Sequence, residues 1–227
     1  MSALATGAVA IDDAEVVRLT WELSGTRGRA LLPDGLFLTT PALLTVQAIR
    51  TTVGAGGLGP FKVVTLELSC RSGARARSLT LAGAIDADED TAERLHAGWA
   101  FPGHRTGIGF ERRYDAVRIT VDGLVDAEAR ELRPLGLHDA QFVVALHPVV
   151  VEGAARVAQV DLDVEPRRAE RGRPRLHALR AGGGDGRPLQ VGRPVVAVVA
   201  VGALTLPRVR FLLDPAQEPH LGTVVLA

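Results

Sequence analysis

Gly56-Gly-Leu-Gly-Pro-Phe-Lys-Val-Val-Thr-Leu-Glu-Leu-Ser-Cys70 opens on a glycine- and proline-rich turn and runs on as ten residues dominated by strand formers. Successive side chains of a strand point to opposite faces, so Phe61, Val63, Thr65, Glu67 and Ser69 share one side. Lys62, Val64, Leu66, Leu68 and Cys70 share the other. The second side is apolar except at Lys62. A slip of one residue would exchange the two sets, so the apolar side pins the register.

Outward from this stretch the chain keeps a β character. Residues 16–17, 43–50, 78–85, 116–121, 142–146, 157–164, 195–201 and 208–213 are short runs rich in Val, Leu and Thr. Gly, Pro and Asp separate them, a spacing that predicts a barrel or sandwich. One helix is expected over residues 88–96, where acidic residues occupy a first turn favoured by the helix dipole and Gly98 stands near the stop. The Arg-, Gly- and Pro-rich stretch 165–194 reads as a solvated loop between strands.

At 227 residues and 47% hydrophobic content, the chain can bury a sizeable core as one domain spanning residues 1–227. Acidic and basic residues balance at 26 each, which argues against nucleic acid or an acidic membrane as partner. Of the basic residues only Lys62 is a lysine; the arginine excess fits GC-rich coding, as in GC-rich bacteria. The single Cys70 allows neither an internal disulfide nor a cysteine-built metal site. The six histidines, at 96, 104, 138, 147, 177 and 220, form no HxH or HxxxH pair, and Gly182 to Gly186 lacks the strand before and helix after that a phosphate cradle requires. No metal and no cofactor is expected. Residues 1–13 carry no basic residue ahead of the apolar stretch, unlike a secretory signal, and the apolar run 195–206 is too short for a membrane helix. It reads as one or two buried strands, and the protein as cytoplasmic.

Five segments taken in order carry a family resemblance. Arg29-Ala-Leu-Leu-Pro-Asp-Gly-Leu36, Gly56-Gly-Leu-Gly-Pro-Phe-Lys-Val-Val64 and Ala97-Gly-Trp-Ala-Phe-Pro-Gly-His104 resemble three successive landmarks of the acetoacetate decarboxylase family. Phe142-Val-Val-Ala-Leu-His-Pro148 and Ala203-Leu-Thr-Leu-Pro-Arg-Val-Arg-Phe-Leu-Leu213 resemble its closing strands. The resemblance implies a mainly β fold, an antiparallel cone-like β-barrel with a few peripheral helices.

It also implies a Schiff-base lysine in an apolar cavity, where desolvation would lower the amine pKa. At the matching turn this chain has Gly103, with His104 beside it. The family's strand glutamate reads Val63, its arginine aligns with Glu22, and a second cavity acid aligns near Gln47. Phe61 and Val63 are then expected to line the cavity, with Lys62 turned away. His104 is either a proton-transfer group at the pocket mouth or an exposed loop histidine. Glu67 is either a displaced acid or a rim carboxylate, and Gln47 either binds a substrate carbonyl or faces outward. Trp21, Trp99 and Phe101 read first as core and second as pocket lining. Arg105, Arg112 and Arg113 are carboxylate clamps or solvated charges.

The functional expectation is a small-molecule enzyme without imine chemistry, a lyase or cyclase acting on an apolar, polyketide-like natural-product intermediate. A non-catalytic ligand-binding protein is the alternative, and a decarboxylase using Lys62 a third. Whether the protein is a homo-oligomer stays open.

Overall fold

The computed structural model describes residues 4, 7–23, 26–180, 189–217 and 219–226. Its strands are β1 (Val9–Leu23), β2 (Phe37–Leu38), β3 (Leu43–Thr51), β4 (Lys62–Ser72), β5 (Arg75–Asp86), β6 (His104–Arg105), β7 (Ile108–Arg112), β8 (Val117–Val121) and β9 (Val125–Pro134). They continue with β10 (Ala145–Val151), β11 (Ala154–Val160), β12 (Asp163–Leu179), β13 (Val191–Leu206), β14 (Phe211–Leu213) and β15 (Thr223–Val225). Helix α1 (Glu89–Trp99) separates β5 from β6. No helix among the described residues is long and apolar enough to cross a membrane.

All strands join one mixed, mostly antiparallel sheet in the order β15-β14-β11-β10-β5-β4-β3-β1-β13-β12-β9-β8-β7, with β2 on β4 and β6 on β5. Among the described residues, parallel pairs occur only where β5 meets β10 and β6. The sheet wraps so far that β7 packs back against β4 and β5.

The wrap encloses one core. Val17 and Leu19 of β1, Val46 of β3, and Val64, Leu66 and Leu68 of β4 pack with Ile119 of β8 and Ala127 of β9. These central strands are buried on both faces, so they read as near-continuous apolar runs. A second core lies on the opposite face, where Val16, Ile49, Phe61, Val63 and Ile85 meet Leu95 and Trp99 of α1. Asp88 caps that helix by accepting the Thr91 amide at 2.7 Å, and Ala100 ends it in a left-handed conformation with φ 51°. At the end of the first core, buried Glu15 accepts from Arg50 at 2.6 Å and from Arg112 at 2.7 Å. Arg112 also bonds Glu170, so one ionic cluster ties β1, β3, β7 and β12 together.

The stretch expected to be a loop is in large part the 17-residue strand β12. About half of its side chains are exposed and only two are buried, and its backbone is held by β13 on one side and β9 on the other. Ladder hydrogen bonds decide its conformation where composition does not. The run 195–206 lies within a single strand, β13.

Candidate functional site

The polar half of the β4 face sets the site. Across the sheet, Val196 faces Thr20, Thr20 faces Thr45, and Thr45 faces Glu67. The next row runs Arg171, Val198, Arg18, Gln47, Thr65. Between β4 and β5 the register shifts so that Leu66 faces Ala82 but Glu67 faces Thr80. This bulge brings Thr80 and Ser78 onto the Glu67 face, although simple alternation from Gly83 would send them away.

Glu67 is 1% exposed. Its Oε1 accepts the Thr65 hydroxyl at 2.9 Å, and burial pushes its carboxyl above the ordinary range, against the opposing pull of the Arg18 charge and the Thr65 and Ser78 hydroxyls. Arg18 and Glu67 form no ion pair, although each senses the other's charge. Glu67 Oε2, Arg18 Nε and Thr80 Oγ1 are buried without a hydrogen-bond partner among the described residues. Buried polar atoms are ordinarily satisfied, so these three are unusual for a site held together by packing alone.

Above this floor opens a cavity of about 780 Å³. Arg18, Thr20, Thr45, Ser69 and Ser78 line its base, Pro41, Leu43 and Val196 its walls, and Leu135, Gln141 and Val143 its roof. The roof is the segment between β9 and β10. It is held by Arg18 Nη1 donating to the Gln141 carbonyl at 3.3 Å and by the Arg18 guanidinium 5.9 Å from the Phe142 ring centre. The chamber is mainly apolar with a few convergent polar groups, the usual make-up of a small-molecule site.

The residues expected from sequence are only partly brought together. Gln47 and Glu67 lie in the buried rows beneath the cavity. Phe61, Val63, Trp99 and Phe101 do not line it: they form the second core, because α1 seals that end of the β4 face. The open space is shifted toward Ser69. Trp21 is buried in the enclosed core on the opposite face. Glu22 is half-buried at the strand end and pairs with Arg193 at 2.6 Å. His104 is exposed on β6 and lies away from the cavity lining, since the parallel pairing of His104 with Ala84 carries the chain along the edge of β5. Arg105 and Arg113 are exposed, and Arg112 belongs to the Glu15 cluster.

Lys62 points to the opposite face, as alternation assigns, with Nζ 2.8 Å from Asp86 Oδ2 and 3.0 Å from the Ile108 carbonyl. Gly103 packs against β5 at φ 109°, where an added Cβ would stand 1.9 Å from the Gly83 oxygen. Arg18 was not singled out by sequence reading; its signal was a lone charge in the apolar run Val16-Val-Arg-Leu-Thr20. No group of metal-ligating side chains occurs among the described residues, and Gly182 to Gly186 lie outside them.

No protein-family model matches the chain, and no curated protein matches it by sequence. Solved structures do match. An acetoacetate decarboxylase superposes with a TM-score of 0.71 at 15% identity, over 89% of this chain and 88% of that one. The acetoacetate decarboxylase of Legionella pneumophila gives 0.71 at 18% identity, over 98% and 88%. The enduracididine biosynthesis enzyme MppR gives 0.65 at 20% identity, over 94% and 91%. Three enzymes of similar architecture therefore share this wrapped sheet, and the chain has the acetoacetate decarboxylase-like fold.

Proposed function

We propose that the protein is a small-molecule lyase or cyclase that works without an imine, on an apolar substrate carrying a carboxylate. The carrying observation is the pairing at a distance of Arg18 and Glu67: a guanidinium and a raised-pKa carboxyl beneath one apolar chamber, close enough to feel each other and not in contact. Arg18 holds the substrate carboxylate, for which its planar fork suits bidentate bonding. Glu67, whose carboxyl burial biases toward the protonated form, gives a proton to the reacting carbon or carbonyl oxygen and takes one back, with the Ser78 hydroxyl between the carboxyl and the cavity. Such proton traffic needs neither oxidant nor reductant. A natural-product intermediate as substrate is suggested by analogy with the enduracididine biosynthesis enzyme of the same fold, and its apolar, polyketide-like character by the largely apolar chamber.

The ion-paired Lys62 on the far face and the closed backbone at Gly103 both weigh against a Schiff base. The test is solvent-deuterium exchange at C3 of 2-oxobutyrate followed by NMR, with borohydride trapping in parallel. The native protein is expected to exchange that position without a covalent adduct, and Glu67→Gln to slow exchange by about 10²–10⁴-fold. An adduct on Lys62 would restore the decarboxylase reading. Binding without exchange would put the non-catalytic ligand-binding reading ahead.

A further inference from the structure

We propose that the substrate carries a second anionic group, read by Arg171 at the rim of the same cavity. This rests on the assignment of Arg18 to a substrate carboxylate. Arg171, Val198 and Arg18 are consecutive partners across β12, β13 and β1, so both guanidiniums leave the same sheet face with one small apolar residue between them. Two strand spacings put their Cα atoms about 10 Å apart. Both residues line the one chamber.

Charge around the chamber is lopsided. Its lining holds Arg18, Arg77 and Arg171 against a single carboxylate, Asp139, which sits on the roof 3.5 Å from His138. Arg77, which faces Cys70 across the ladder, donates to the Ala76 carbonyl and feels the charge of Asp161. Glu170, next to Arg171, is taken by Arg112 and Arg168. Across the ladder stands Arg133, of the same sign. No ion pair to Arg171 occurs among the described residues. An exposed arginine without an acid, at the mouth of a pocket whose floor holds another, gives a two-point anion reader. The inner point fixes the reacting end, and the outer point selects length and charge. The shared chemistry is a second carboxylate or a phosphoryl group, since the guanidinium fork fits both.

Isothermal titration of the full chain with matched probes decides the matter: straight-chain monocarboxylates of four to eight carbons, the α,ω-dicarboxylates from succinate to suberate, and 6-phosphonohexanoate. At least one dianionic probe is expected to bind about tenfold or more tightly than its monocarboxylate, the yield of one charge-assisted contact, and in Arg171→Gln that ratio should fall to within about threefold. Arg18→Gln should weaken both classes. A preference for the phosphonate over the dicarboxylates would identify the outer group as phosphoryl. Equal binding of mono- and dianions, or a ratio that survives Arg171→Gln, overturns the inference while leaving the Arg18 reading intact. If Arg18→Gln changes neither class, or the native protein binds neither, both fall together.

Discussion

The Trp99 carbonyl lies 2.8 Å from His147 Nδ1, deep between α1 and β10. A carbonyl can only accept, so Nδ1 carries the proton and the ring is held neutral as one tautomer. Burial lowers the His147 pKa from 6.5 to about 4. The unfolded chain therefore binds a proton that the native state refuses between those values. Stability is complete above pH 6.5 and drains away as pH falls toward about 4, by about 3 kcal/mol from this group. Thermal melts across that range should show a steeper acid limb for the native chain than for His147→Asn. Equal slopes would mean that His147 is not the titrating group.

Glu67 titrates in the opposite sense. Its folded pKa lies above its ordinary value, so the stability of the neutral acid is complete below that value and is lost as pH rises through the folded pKa. Glu67→Gln, which cannot ionise, should gain in melting temperature over the native chain as pH rises above the ordinary carboxylate range, while losing turnover. A constant difference across pH would show that Glu67 is ionised throughout.

Gly103 cannot take a side chain in place. A Cβ there would lie 1.9 Å from backbone oxygen at a φ of 109°. Gly103→Lys should lower the melting temperature, with a strain of about 1–3 kcal/mol, and borohydride should trap no keto acid on it. A stable variant that forms an adduct would show that β5 and the turn separate easily.

Lys62→Met removes an ion pair whose two partners are each about one-third exposed, at 34% and 35%, so its cost should stay below about 1 kcal/mol. Turnover in the exchange assay should persist. Loss of turnover with an intact melt would return Lys62 to the chemistry.

Cys70 is buried on the core side of β4, and its thiol is pushed up to about 12 chiefly by desolvation. Thiol reagents attack the thiolate, so labelling should wait for unfolding and follow the denaturation curve. Prompt labelling of folded protein would place Cys70 at a mobile edge.

How much of this was legible in the sequence varies along the chain. Period-two patterning assigned both faces of β4, with Glu67 on the side of Phe61 and Val63 and Lys62 on the side of Val64, Leu66 and Leu68, because a strand with one apolar side admits a single register. Composition misled at β12, whose Arg-, Glu- and Pro-rich sequence reads as a loop while neighbouring strands hold its backbone. Arg18 was hidden among 25 arginines; its place in an apolar run was a faint signal, and its pairing with Gln47 and Val198 puts it on the cavity face. The pocket was expected at Phe61 and Val63 because nothing in the β4 pattern shows that α1 would seal that end. The β5 bulge opposite Glu67 likewise leaves no local mark, so Ser78 and Thr80 joined the site only through the ladder.

The pairing of β1 with β13, Val9 with Leu206 and Leu23 with Val191, sets the timing of folding. During synthesis β1 can pair early with β3, but its other edge waits until nearly the whole chain has been made, a delay on the order of ten seconds at ordinary elongation rates. Through that interval Val16, Val17 and Leu19 lie beside an open strand edge, the kind that recruits other chains. Arg112 likewise gains its second carboxylate, Glu170, only once β12 has been made. The nascent protein thus depends on its last third to protect its first, and expression yield should respond more sharply to damage in β13 than to equal damage in β8.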